Sequence, residues 1–121
     1  MGPTFAAMRM NTNGSDPTCV TVRVSHGPCA LIVVRGELDL VGVPTFENAV
    51  GDLELPSVRR AVLDLRRLSF IDAAGLHAVL DLHAACLNAA TDLTIVPGPR
   101  NVQRLFELTG VDRYLPFTPV H

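Results

Sequence analysis

Lysine is absent from the chain. All ten basic residues of the 121 are arginine, with only Arg59, Arg60 and Arg66, Arg67 adjacent, against twelve acidic residues and a formal net charge of −2. No basic stripe emerges that could track a phosphate backbone, so no nucleic acid is expected as a partner. Long apolar runs are missing as well, none approaching the ~20 residues that cross a bilayer. The opening MGPTFAAMRM lacks a basic start followed by a long apolar block and does not read as a secretion signal. A cytoplasmic protein with no direct membrane contact is the expectation. The three cysteines, Cys19, Cys29 and Cys86, show no CxxC or metal-ligand spacing, so neither a metal nor another cofactor is expected. With a turn near residues 26 and 27, Cys19 falls opposite about residue 34, roughly 17 Å from Cys29 at strand rise. A disulfide needs Cα atoms within ~7 Å, so the cysteines read as reduced thiols, buried or half-buried. No Ser/His/Asp or Cys/His set converges on Asp64 or Asp72, and neither PGP nor GELDL has the form of a phosphate-cradling loop. Enzymatic activity is not expected.

What the chain does contain is an alternation of strand and helix patterns in one domain. Its length suffices to bury roughly two thirds of the unfolded surface. Residues 1–17, rich in Asn, Thr, Gly, Ser and Pro, read as a flexible N-terminal tail, leaving 18–121 as the domain. CVTVRVS alternates Val20, Val22 and Val24 with polar residues, the period of a strand with one wet face. After HGP, the more continuous CALIVVRGELD predicts a strand covered on both faces, weakening at Gly36 and paired antiparallel to the first. VGVPTFENAVGDLEL predicts a short amphipathic helix with Pro44 in its first turn and Phe46, Ala49, Val50 and Leu53 inward.

A third strand is expected around Ala61 to Leu65. The longest helix follows, with Leu76, Val79, Leu80, His83 and Leu87 on its buried stripe and Asp72 at its N-cap. DLTIV predicts a fourth strand. RNVQRLFELTG predicts a helix with Val102, Leu105 and Phe106 inward and Gly110 as its left-handed stop, and RYLPFTPV is compatible with a terminal edge strand. The fold class is therefore α/β: a mixed central sheet with an antiparallel first hairpin, then parallel βαβ crossovers, and three helices. Sites in such folds lie past the C-terminal ends of the parallel strands. GELDL and FIDAAGL land there.

These two segments also carry a resemblance. From about Val20 to Pro116, some four fifths of the chain, the sequence resembles the STAS domain, specifically the freestanding bacterial anti-sigma factor antagonists, through GELDL, VLDLRRLSFIDAAGL and NVQRLFELTGVDRYLP. The resemblance implies a protein-interaction module that binds a serine-kinase anti-sigma factor of the GHKL type and so releases a sigma factor. It implies a docking surface at Asp72, Ala73, Ala74, Gly75 and Leu76, with Asp39 and the first helix alongside; His77, on the wet face near the junction, is a candidate contact. In the family the kinase switches the antagonist off by phosphorylating a serine after the aspartate. That position is Ala73 here, which offers no oxygen to modify.

Each residue has a plainer role beside this one. Asp72 caps a helix, worth about 1 kcal/mol; Asp39 prepares a turn; His83 sits in an apolar stripe without a second ligand. Ser69, the nearest hydroxyl, is out of the register in which the family's kinase finds its acceptor, and Thr45 and Thr109 have no supporting context. A second reading is a non-phosphorylated STAS scaffold subunit of a stress-signalling or membrane-transport complex. A third is a small-molecule or redox sensor using Cys86 or His83. Many STAS domains continue into a further helix, whereas this sequence stops at His121. The sheet edge or apolar patch so left open makes a homodimer a further expectation.

Overall fold

A computed structural model describes residues 20–119 and the short stretch Thr4–Phe5. Five strands, β1 (Thr4–Phe5), β2 (Thr21–Val24), β3 (Cys29–Leu38), β4 (Arg60–Ile71) and β5 (Asp92–Val96), form one sheet in the order β1-β2-β3-β4-β5. β1 and β2 pair antiparallel, as do β2 and β3, while β3, β4 and β5 run parallel. The parallel crossovers are helical: α1 (Val43–Gly51) between β3 and β4, and α2 (Ala73–Asn88) between β4 and β5. α3 (Arg100–Thr109) follows β5 and ends at Gly110, which takes the left-handed conformation at φ 80°. The mixed sheet, its first hairpin, its crossovers and its three helices are those expected from the sequence. Thr4–Phe5 departs from the expected flexible tail over 1–17: it pairs antiparallel with Val24 and Arg23 as an edge strand, because β2 offers a free backbone edge there. The rest of 1–17 lies outside the described residues, as do Cys19 and His121.

One face of the sheet holds the core. Val22, Val24, Ile32, Val34, Leu63, Leu65 and Ile95 join Phe46 of α1, Val79 of α2 and Phe106 of α3 in a single buried cluster. The expectation that β3 is covered on both faces is overturned. Its burial alternates, with Leu31 43% exposed and Arg35 exposed while Ile32 and Val34 are fully buried. The run looked continuous because leucine and valine occupy positions on the uncovered face.

Two strands also exceed their expected ends. β3 passes through Gly36, which adopts φ 91° beside a register irregularity, and continues to Leu38. β4 runs to Ile71, because extra residues between the pairs Val33–Asp64 and Arg35–Arg67, and again before Glu37–Phe70, are absorbed as bulges. The hairpin turn is looser than a two-residue one: Val24 pairs with Ile32 across His26, Gly27 (φ 123°) and Pro28.

α2 buries Gly75, Leu76, Ala78, Val79, Leu82 and Cys86. Leu80 and His83 are only half-buried and Leu87 is 67% exposed, so the buried stripe is rotated from the expected one. The expected terminal strand shrinks to a single parallel bridge between Ile95 and Phe117, with the Ile95 N–H donating to Pro116 O at 2.9 Å. Pro116 and Pro119 have no N–H to extend the ladder. Phe117 instead meets Phe106 edge-on at 5.2 Å.

Among the described residues one charged side chain is buried, and it lies in the sheet. Asp64, 6% exposed, accepts from the Arg66 backbone N–H at 3.0 Å, from Nε at 3.1 Å and from Nη2 at 2.9 Å. The Arg66 guanidinium holds the carboxyl below its ordinary value of 3.8, outweighing a burial effect in the opposite direction. A depressed folded value means that the stabilisation is complete above the unfolded value and fades as pH falls through the folded one. Urea unfolding across an acid series is therefore expected to lose stability below about pH 4, and Asp64→Asn to lose less over that range. An identical acid dependence in the variant would contradict this assignment.

Candidate functional site

The junction between β4 and α2 is built around one carboxylate. Asp72 is extended (φ −116°, ψ −172°), the backbone of an N-cap. Its Oδ1 accepts from Gly75 N at 3.0 Å and its Oδ2 from Leu40 N at 3.1 Å. One oxygen therefore closes the first turn of α2 while the other holds the loop between β3 and α1. Asp39 organises that loop from within: Oδ1 accepts from Gly42 N at 2.9 Å, and its carbonyl accepts from Val43 N at 2.9 Å. The expected cap and the expected turn are both present.

Gly75 is dictated by close approach. A Cβ there would collide with the Leu38 carbonyl oxygen and come within 2.8 Å of Ile71 Cγ1. The Leu38 carbonyl also accepts from Asp72 N at 3.4 Å, so the C-terminal end of β3 is pressed against the start of α2. Beside it, the Ser69 hydroxyl donates to Gly36 O at 3.1 Å, and Asn101 Nδ2 donates to Ser69 O at 2.7 Å, fastening α3 to the same end of the sheet.

The seven residues singled out in the sequence divide by exposure. Ala73 and His77 are exposed; Ala74, Asp39 and Asp72 are half-buried; Gly75 and Leu76 are buried and set the geometry from beneath. Sequence reasoning missed two residues of this surface. Leu40, 72% exposed, and Val41, 85% exposed, stand in the loop that Asp72 holds. Their signal was two large apolar side chains between Asp39 and Gly42, where neither a strand nor a helix period provides a core to receive them.

The residues of the sensor reading lie elsewhere. Cys86 is buried on α2, where burial pushes its thiol up and away from the reactive thiolate. His83 is half-buried on the same helix. Cys29, by contrast, is exposed at the start of β3.

A mixed sheet backed on one face by three helices, with an antiparallel first hairpin and parallel crossovers, is the fold expected of a STAS domain. The profile of the STAS domain matches residues 20–121, and the chain belongs to that family. Its relatives include proteins named as anti-sigma factor antagonists. The chain is 26% identical over 100 residues to the anti-sigma-F factor antagonist RsfB of Mycobacterium tuberculosis, covering 82% of this chain and 81% of that protein. It is 29% identical over 80 residues to the anti-sigma-B factor antagonist of Staphylococcus aureus, covering 66% and 74% respectively. Among solved structures, an anti-sigma factor antagonist from Mycobacterium paratuberculosis superposes with a TM-score of 0.74 at 30% identity, over 88% of this chain and 91% of that one. Among the described residues no helix is long and apolar enough to cross a membrane.

The clamp predicts two stability losses, measurable by urea unfolding. Asp72→Ala removes the cap and the tie to Leu40 and is expected to cost about 2 kcal/mol. Gly75→Ala forces backbone apart and is expected to cost about 3 kcal/mol or to prevent folding. Losses below about 0.5 kcal/mol, the range of ordinary surface changes, would contradict the clamp.

Proposed function

We propose that this protein is an anti-sigma factor antagonist that docks on a GHKL-type serine-kinase anti-sigma factor and thereby releases a sigma factor. The observation that carries the reading is the junction itself, where Asp72 holds the first turn of α2 and the loop of Leu40 in fixed register. The exposed Ala73 and His77 of α2 and the exposed Leu40 and Val41 belong to the two segments that this carboxylate joins, which supports the reading. The names of the relatives supply the class of partner. Asp39, Asp72, Gly75 and Leu76 shape the docking surface, and Leu40 and Val41 are its apolar anchors, each worth roughly 1.5–3 kcal/mol when fully buried. An interface of about 800 Å² on this side suffices.

Ala73 stands where the family's phosphoacceptor serine would stand. A phosphoryl group at the first turn of α2 would add nearly two negative charges beside the partner; a methyl group cannot carry one. The antagonist is thus permanently competent, governed by its abundance or by its partner. Ser69, the nearest hydroxyl, lies in β4 three residues before the cap, where it donates to Gly36 O, out of the register of the family's acceptor.

Titration against the GHKL-type anti-sigma factors of the source organism tests the proposal. Saturable binding is expected, weakened about tenfold or more by Leu40→Asp and by Ala73→Glu. With kinase and ATP, Ala73→Ser is expected to become phosphorylated and the parent chain to stay unmodified. Absence of binding to every such factor, or indifference to Ala73→Glu, would overturn it.

A further inference from the structure

The face of the sheet opposite the helices carries a concentration of charge that the docking reading does not use. It holds a groove of about 460 Å³ lined by Arg23, Leu31, Val33, Arg35, Asp64 and Arg67, with Arg66 at its side. Four of the chain's ten arginines thus meet over one surface of a protein whose net charge is −2. The register explains how. Arg23, Val33 and Asp64 form one row across β2, β3 and β4, and Thr21, Arg35 and Arg67 form the next.

Arg35 and Arg67 are therefore direct cross-strand neighbours on strands about 5 Å apart. Like charges so placed destabilise a sheet. Asp64, the one carboxylate among the described residues lining the groove, gives both oxygens to Arg66 at 3.1 and 2.9 Å, and Arg67 acts on it only through its charge, without a direct contact. Among the described residues neither Arg35 nor Arg67 forms a salt bridge. The pair thus presents two guanidinium groups side by side to solvent, with no carboxylate in direct contact with either among the described residues.

We propose that the groove binds a compact multivalent anion, a small molecule bearing adjacent phosphate or carboxylate groups, seated between Arg35 and Arg67. Paired guanidinium forks match the oxygens of such groups in bidentate fashion. The volume is that of a small-molecule site. The potential is also local. Along β3, Glu37 lies two residues beyond Arg35 and the apolar Leu31 closes the other end in line with Val62, which disfavours an extended acidic peptide running along the strand. Among the described residues no aromatic ring lines the groove, and the site is assigned to its charged groups.

Titration calorimetry of the full chain with inorganic tripolyphosphate and, separately, citrate tests this at low salt. Saturable binding of at least one of them is expected, tripolyphosphate pointing to a phosphate-bearing ligand and citrate to a polycarboxylate. Arg35→Gln and Arg67→Gln should each weaken it about tenfold, the loss of one charge-assisted contact. Arg104→Gln, an exposed arginine on α3, should leave it unchanged. Because each groove variant removes one member of a repelling pair, both should melt at or above the parent temperature while binding less. No saturable binding, equal weakening by all three variants, or tighter binding of a poly-glutamate peptide than of either small anion would overturn the proposal. The outcome is independent of anti-sigma binding, which is assigned to the Asp72 junction.

Discussion

The two oxygens of Asp72 are the constraint on which the rest of this domain's working surface depends. A helix cap normally satisfies one orphan donor of its own helix. Here the second oxygen reaches across 32 residues to Leu40 N, so two crossover loops share a single carboxylate. Gly75 makes the arrangement feasible by letting the Leu38 carbonyl approach the first turn of α2, and Asp39 stiffens the loop from the other side through Gly42. Local backbone requirements thus convert two flexible connections into one surface of fixed shape. Preorganisation of this kind lowers the ordering cost of binding.

The sheet divides the labour between its two faces. Three helices bury one face around Phe46, Val79 and Phe106, and that core supplies the stability. The other face is left to charge, with Asp64 and Arg66 satisfying one another while Arg35 and Arg67 stand side by side. The junction lies at the end of the central strands, where both crossover connections begin, so it inherits rigidity from the core without being covered by it.

Much of this was legible in the residues. Alternation in TVRV, the capping position of Asp72 and the left-handed stop at Gly110 each follow from backbone physics that acts over a few residues, and each stands in the structure as expected. On the strongly polar α3 the expected inner face is found, with Val102 and Phe106 buried and Leu105 half-buried, while Leu108 is exposed. α2 was harder. Apolar residues nearly surround it, and the choice of Leu82 and Cys86 over His83 and Leu87 belongs to the packing of its neighbours. The bulges that lengthen β3 and β4 are likewise set between strands, and the exposure of Leu31 depends on which face the helices take. At the site, the aspartates announced themselves by position. Leu40 and Val41 did not, because an exposed apolar pair is recognisable only once the core is known.

Hydrogen–deuterium exchange of the chain with and without its anti-sigma factor tests the central claim most directly, since the claim concerns which backbone amides the partner covers. Slowed exchange over 39–43 and 72–77, with 31–35 unaltered, is the result predicted by docking at the Asp72 clamp. Protection that spares both loops and falls instead on the strands or on α3 would contradict it.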